Sequence, residues 1–434
     1  MLVWKHYWSG KLDQPKGLRV LFFTEMWERF SYYGMRAILI LYMVAPVLSG
    51  GLGLTVAHAA QIYGLYTMSV YLLSLPGGWA ADHYLGARNA VLVGGIVIAL
   101  GHFTIAYATL FSFYLGLILI VLGTGLLKPS ISALVGNLYS KGDTRRDAGF
   151  SIFYMGINLG AFLAPFVCGY LGQNVSWHYG FGAAGIGMTI GLIQYIWGRK
   201  MLDNINDHSD VIHVPSKMPL TRQEWMHIGV IIILFFFSAL FWMALEQAGS
   251  SFNLFASQLT RNQFLGFSYP SSWLQSINPI FIILLAPMFS WLWLSLGNRQ
   301  PSSAIKFSLG LLFAGLGFML LAYASTFTQD GPVSPLWLVG VYFLHTVGEL
   351  CLSPVGLSMV TRLAPHQYVS FLLGIWFVSM ALGNYAAGWV ASFFNVSSES
   401  LVQIFSNIGW TTIGAAALLV LLSPWIKRLE NTLP

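Results

Sequence analysis

Apolar runs long enough to cross a hydrocarbon core of about 30 Å recur about twelve times along this chain. They fall near residues 20–46, 57–82, 88–110, 113–139, 147–172, 176–198, 225–256, 271–297, 304–327, 333–363, 368–394 and 401–427. Alternate connections carry nearly all the remaining positive charge: Arg88; Lys141, Arg145 and Arg146; Arg199, Lys200, Lys217 and Arg222; Arg299 and Lys306; Arg362; Lys427 and Arg428. The opposite connections carry only Arg261. Positive residues mark the cytoplasmic side, so both termini are predicted there, and an even number of spans follows. Lys5, Lys11, Lys16 and Arg19 precede the first run without the short apolar core and small-residue cleavage site of a signal peptide. A cytoplasmic start is expected.

The polar stretch from Asp203 to Glu224 interrupts the series once and divides it evenly. This predicts a first bundle over residues 1–198, a cytoplasmic linker over 199–224 and a second bundle over 225–434, with six spans in each bundle. Gly77, Gly78, Gly86 and Arg88 close the second run, and Pro287, Gly297, Arg299 and Pro301 close the eighth at the equivalent place, as in a duplicated fold. Parallel repeats with a substrate site at mid-membrane are the architecture of major-facilitator transporters. The expected fold is therefore an all-α membrane protein of that kind, with twelve transmembrane helices.

Composition sharpens this picture without redirecting it. Charged residues make up 8% of the 434 positions and apolar residues 56%, and the mean hydropathy is +0.68. No soluble globule of this length needs such a balance. The net charge of +6 follows membrane sidedness, not a nucleic-acid patch. Cys168 and Cys351 both lie inside apolar runs and read as core fillers, not as a disulfide framework.

Against that background the charges inside the runs need a reason. Glu25, Arg29, Tyr32 and Arg36 share one stripe of the first helix, with Glu28 and Tyr33 on its edges. Each charge at a bilayer centre costs roughly 2.5–3.5 kcal/mol on insertion scales, so the stripe should face a polar pathway. Lys128 sits deep in the fourth run beside Pro129, which removes a backbone donor and predicts a kinked helix with a buried ammonium. A first-helix carboxylate is its expected partner. The seventh run adds Glu246 and Gln247, with Trp242 one turn earlier, and the tenth adds Glu349 between His345 and Ser353.

Glu25, Glu28, Glu246 and Glu349 thus stand against Arg29, Arg36 and Lys128. A surplus carboxylate in a low-dielectric cavity can hold a proton, whereas buried ion pairs are poor stabilisers, so proton coupling is favoured over a static network. Tyr32, Tyr33, Tyr71, Tyr154, Asn158, Trp242, Asn278, Trp376 and Asn384 complete a candidate cavity. His345 reads more simply as a packed histidine than as a relay. There is no metal-ligand spacing, phosphate-binding loop or nucleophile triad, so no enzyme, cofactor or metal is expected.

These residues resemble a known family. EMWERFSYYGMR, GGWAAD…GAR, GTGLLKPSISALVGNLY, FSIFYMGINLGAF, FWMALEQ, INPIFI, GELCLSPVGLS and GIWFVSMALGN, in that order, are similar to the proton-dependent oligopeptide transporters of bacteria, within the major facilitator superfamily. The resemblance implies an inner-membrane symporter of di- and tripeptides. Glu25, Glu28 and Arg29, linked to Lys128, would couple protons. Arg36, Lys128 and Asn158 would receive the peptide carboxylate, with Tyr32, Tyr33 and Tyr71 lining the pocket. Glu349, assisted by Asn278, would hold the amino group, and Trp242, Ser353 and Trp376 would shape pockets. Glu246 would act in proton transfer and in gating through Arg36, and Asp82 and Arg88 match a cytoplasmic loop signature with a hinge role.

A cavity basic in one half and acidic in the other suits a zwitterionic peptide. Bacterial members typically carry two extra helices between spans six and seven, and none is expected in this short linker. The partners implied are peptides, protons and the bilayer, with a monomer expected and no nucleic acid. A nitrate or other small-solute transporter on the same fold is the alternative, weakened because Glu349 would repel an anion.

Overall fold

The structure, a computed structural model, describes residues 14–140, 143–203, 220–264, 266–365 and 368–430. The predicted linker lies mostly at 204–219, outside the described residues, as do Lys5, Lys11, Lys141 and Lys217. Among the described residues fourteen α-helices follow the apolar runs: α1 Lys16–Val44, α2 Val56–Leu72, α3 Ser74–Ala80, α4 Ala87–Ile105, α5 Leu110–Asn137, α6 Arg146–Ala164, α7 Trp177–Gly198, α8 Arg222–Leu245, α9 Ser251–Gln258, α10 Ile277–Leu296, α11 Ser303–Ser325, α12 Leu336–Leu363, α13 Val369–Ala391 and α14 Ser398–Glu430. A two-stranded hairpin, β1 Gln263–Phe264 with β2 Phe267–Ser268, caps the turn after α9.

Ten helical stretches among the described residues are long and apolar enough to cross a membrane. The first two helices fall outside that description for local reasons. α1 has 29 residues but carries four charges through its middle, and α2, with 17 residues, is continued after Leu73 by α3.

The helices depart from regularity at particular sequences. Beyond α3 the chain widens into a π turn over Ala81–Leu85 and leaves through Gly86 at φ 72°, a left-handed conformation that glycine adopts without a Cβ penalty. α6 likewise runs into π turns at Pro165–Gly169 and Leu171–Val175. The predicted seventh span is not one helix. α8 stops at Leu245, Glu246–Gly249 form a 3₁₀ turn, and Ser250 at φ −119° and ψ −94° redirects the chain into α9. α5 runs unbroken through Pro129. The carbonyl that Pro129 cannot pair is that of Gly125, and the Cα of Gly77 packs on it, where no side chain fits.

α1 is the most enclosed helix and packs against α6 and α7. Both present glycines to it. A Cβ on Gly156 of α6 would meet the Phe22 ring at 2.9 Å, and one on Gly191 of α7 would meet Trp27 Cβ at 2.7 Å. Small residues let helix backbones approach closely in lipid, where packing replaces the hydrophobic effect as the driving force. In the same way α2 crosses α13 at Gly64 and Gly388, where a Cβ on Gly64 would lie 2.8 Å from the Gly388 Cα. α4 packs on α5, and α11 packs on α12 and α14. Gly123 meets the Gly94 carbonyl between α4 and α5, where an added Cβ would lie 2.6 Å from it. Cys168 and Cys351 are buried and free, consistent with the core-filler reading.

Candidate functional site

The close packing around α1 forces its polar stripe into a dry environment. Glu25, Glu28, Arg29 and Arg36 are all buried. The spacing of Glu25 and Arg29, four residues apart on a helix, brings Arg29 Nε to 3.1 Å from Glu25 Oε1, and the same nitrogen contacts Glu28 Oε2. These are ion pairs without the alignment of hydrogen bonds. Glu25 Oε2, Glu28 Oε1 and Arg29 Nη2 have no hydrogen-bond partner among the described residues. A buried carboxylate with an unused oxygen leaves room for a proton. Arg29 also lies 5.3 Å from the centre of the Tyr32 ring.

Lys128 does not pair with a first-helix carboxylate. Among the described residues it makes no ion pair, and its Nζ lies 3.8 Å from the centre of the Tyr71 ring, a cation–π contact. The physical reason lies in the chemistry of Arg29. Its planar guanidinium, on the same helix, already sets Nε against both carboxylates. Lys128 therefore stands as a cation held by an aromatic face, with no counter-charge in contact.

Two turns beyond Arg29 on α1, Arg36 reaches across the molecule. Its Nη2 donates to Glu246 Oε2 at 2.5 Å, and its Nε donates to Tyr63 Oη at 2.5 Å. Its guanidinium also lies 5.7 Å from the centre of the Tyr33 ring. The predicted Arg36 and Glu246 partnership is thus present. Tyr63 was not among the sequence candidates, because one tyrosine in a chain with 15% aromatic residues gives no local signal. Glu246 sits where α8 breaks, and Gln247 beside it fixes the break: its Nε2 donates to Ala387 O at 3.1 Å, and its Oε1 accepts from Ser251 Oγ at 2.6 Å.

The second acidic position is separate. Asn278 Nδ2 donates to Glu349 Oε2 at 3.2 Å and to Thr346 Oγ1 at 3.0 Å, so α10 orients the carboxylate that α12 carries. Ser353 Oγ, one turn along α12, has no partner among the described residues. Trp376 is buried and packs with Phe307 at 6.2 Å and against Gly356. Trp242 stands edge-on to Phe241 at 5.7 Å.

Other candidates are occupied by their own helices. Asn158 Nδ2 donates to Tyr154 O at 3.0 Å, and Asn384 Nδ2 to Met380 O at 2.9 Å. His345 is buried between Phe252 and Phe318, with ring centres at 5.4 and 5.2 Å, as a packed histidine would be. Arg88 Nη1 donates to Asp203 Oδ1 at 3.0 Å and ties the start of α4 to the turn after α7. Asp82 lies exposed in the π turn. No group of three or more His, Cys, Asp or Glu side chains among the described residues could hold a metal.

Membrane-length helices that enclose a charged network and a separate oriented carboxylate define a polytopic transport protein. The chain belongs to the POT family, whose model matches residues 88–222 and 220–411. It is 40% identical to the peptide transporter YePEPT of Yersinia enterocolitica over 487 aligned positions, covering 96% of this chain and 95% of that protein, and 40% identical to the transporter YclF of Bacillus subtilis over 477 positions, covering 97% and 96%. Both alignments exceed the 434 residues of this chain, so these relatives carry stretches with no counterpart here. A crystal structure of a mutant peptide transporter POT in complex with alafosfalin superposes with a TM-score of 0.90 at 39% identity, covering 97% of each chain.

Proposed function

We propose that this chain is a proton-coupled symporter that imports di- and tripeptides across a bacterial inner membrane by alternating access. The observation that carries this reading is the separation of charge by position. On α5 Lys128 is available to a peptide carboxylate and on α1 Arg36 becomes so when Glu246 releases it, whereas a carboxylate on α12 (Glu349) is oriented by Asn278 toward an amino group. Anchoring both ends of a zwitterion fixes its orientation and leaves its side chains free. Glu25, Glu28 and Arg29 supply the proton site, and Asn158, Tyr32, Tyr33, Tyr71, Trp242, Ser353 and Trp376 line the pocket. The names of the relatives support the substrate class: a di-/tripeptide transporter of Lactococcus lactis is 36% identical over 96% of this chain.

The accompanying topology has twelve spans in two six-helix bundles, residues 1–198 and 225–434, with both termini cytoplasmic and a monomer as the working unit. α1, with charges through its middle, and the α2–α3 run, interrupted at Leu73, supply the two spans beyond the ten. Counterflow of labelled dialanine into proteoliposomes, with and without an imposed proton gradient, tests the function. Exchange without a gradient and accumulation with one are expected. Uptake that ignores dialanine but follows a small anion would replace this reading with the anion transporter.

A further inference from the structure

Arg36 and Glu246 are not the sole polar connection between the helices before residue 203 and those after residue 220. A second set consists of neutral groups. Ala37 O on α1 accepts from Asn253 Nδ2 at 2.8 Å and from Gln275 Nε2 at 3.2 Å. Gln173, on the π turn that ends the α6 run, uses both ends of its amide: Nε2 donates to Ser271 Oγ at 2.9 Å, and Oε1 accepts from the Ser272 backbone at 3.1 Å. Ser276 Oγ donates to Phe162 O at 2.8 Å. All the residues from the later helices lie between 253 and 276, along α9, the 3₁₀ turn Ser271–Ser276 and the chain between them. This single segment docks on α1 and the α6 run together. Gly169 is what permits the approach, because Ser272 occupies the space where its Cβ would stand.

We propose that this segment is a neutral clasp that holds the molecule closed on the side away from its termini, with Gln173, Asn253 and Gln275 as its positioning residues. The inference rests on the alternating-access reading, since opening that side must separate α9 and the 3₁₀ turn from α1 and α6. Three features support a dedicated contact. The bonds converge from one segment onto two helices, the donors Asn253 and Ser276 are buried, and Gln173 is matched at both ends of its amide. Amides and hydroxyls keep their hydrogen-bonding character across the physiological pH range. The clasp therefore contributes the same closing bias at every pH, and whatever depends on protons is left to the charged groups, the Glu25, Glu28 and Arg29 cluster and the Arg36–Glu246 pair. The segment itself carries Arg261 and Tyr269, whose hydroxyl donates to Arg261 O at 3.1 Å, and the titratable groups near it on the facing helices are Tyr63, within the ion-pair cluster; Cys168, buried against Gly34; and Tyr42 and His178, whose rings face each other at 5.8 Å.

The test is a distance measurement between spin labels on Tyr107→Cys, in the turn between α4 and α5, and Tyr323→Cys, near the end of α11, both exposed, in the full chain in proteoliposomes. Cys168 and Cys351 are buried and are replaced by serine. Gln173→Ala loses both amide bonds, and the ratio of far-side-open to closed molecules should rise about thirtyfold at pH 5 and pH 8 alike, from roughly 1 kcal/mol for each neutral bond. Gln275→Ala loses one bond, is only half-buried, and should give a smaller rise with the same indifference to pH. Wild-type ratios in both variants overturn the clasp, as does a shift confined to one end of the pH range. If Gln173→Ala cannot be recovered, an unchanged ratio in Gln275→Ala decides against it. Dialanine counterflow by the wild type separates the outcomes: its absence removes the transport reading, and the distance ratios still decide the clasp.

Discussion

At the scale of single residues, the site divides its charges between two kinds of restraint. Arg29 is held by carboxylates and Lys128 by an aromatic ring. A cation over a ring face keeps its charge available to an incoming anion, whereas an ion-paired one must first be released. Lys128→Ala is expected to abolish gradient-driven uptake while leaving exchange at equal pH, and Glu25→Gln or Glu28→Gln should do the same, because each removes a carboxylate that can carry the proton. Accumulation of peptide against a gradient by either glutamine variant would remove the coupling role from that residue. Glu349 presents a different case, because Asn278 donates to it and leaves its other oxygen for a ligand. Losing a charge-assisted hydrogen bond costs roughly 1.5–3 kcal/mol, or about ten- to hundred-fold in affinity. Glu349→Gln should therefore weaken free dipeptides by that factor and spare N-acetylated ones. Competition binding with both ligands checks this, and equal losses would refute the amino-group role.

Helices in this molecule meet through glycine wherever backbones must approach. The crossing of α2 and α13 is the sharpest instance, since each belongs to a different part of the chain and opening one side must move one helix against the other. A Cβ on Gly388 would stand 2.6 Å from Ala60 O and 2.7 Å from Gly64 N, and backbone atoms cannot swing aside as a side chain can. Overpacking of this kind costs typically about 1–3 kcal/mol. Gly388→Leu should lower the thermal midpoint in detergent by several degrees and depress transport. Gly229→Ala is the control, because nothing lies within 4 Å of its added Cβ, and alanine is the better helix former by roughly 1 kcal/mol. Its midpoint should be unchanged or higher.

For the whole molecule, the question is what the proton changes. Arg36 on α1 and Glu246 at the end of α8 come from the two halves of the sequence, and in the proposed cycle their contact at 2.5 Å is the gate that closes the side away from the termini. Protonating Glu246 neutralises one partner, and a peptide carboxylate can then take Arg36, so proton and peptide favour the same rearrangement. A differential energy of a few kcal/mol moves such an equilibrium substantially. Glu246→Gln should lengthen the distance between labels at positions 107 and 323 and flatten its response between pH 5 and pH 8. Wild-type distances in the variant, together with no response to pH in the wild type, would exclude this pair as the gate.

The span series, the buried charges on α1 and the partnership of Arg36 with Glu246 were legible in the sequence. Each rests on a property the residue carries locally: apolar length set against bilayer thickness, or charge in a place where charge is expensive. Glu349 was legible for the same reason, although nothing local named Thr346 beside its Asn278. The break of the seventh span at Glu246–Ser250, the Lys128–Tyr71 contact, Tyr63, and the amides of Gln173, Asn253 and Gln275 were decided by the tertiary structure alone. Neutral polar residues are common at helix ends and give no signal by composition. Whether an amide binds its own helix, as Asn158 does, or crosses to another, as Asn253 does, depends on which backbone carbonyl the packing brings within 3 Å. Arg29 and Lys128 show the same limit among charges. Sequence fixes the sign of each group, but two carboxylates and two cations can pair in several ways, and the arginine on the same helix prevails only because the fold holds Lys128 over a ring instead.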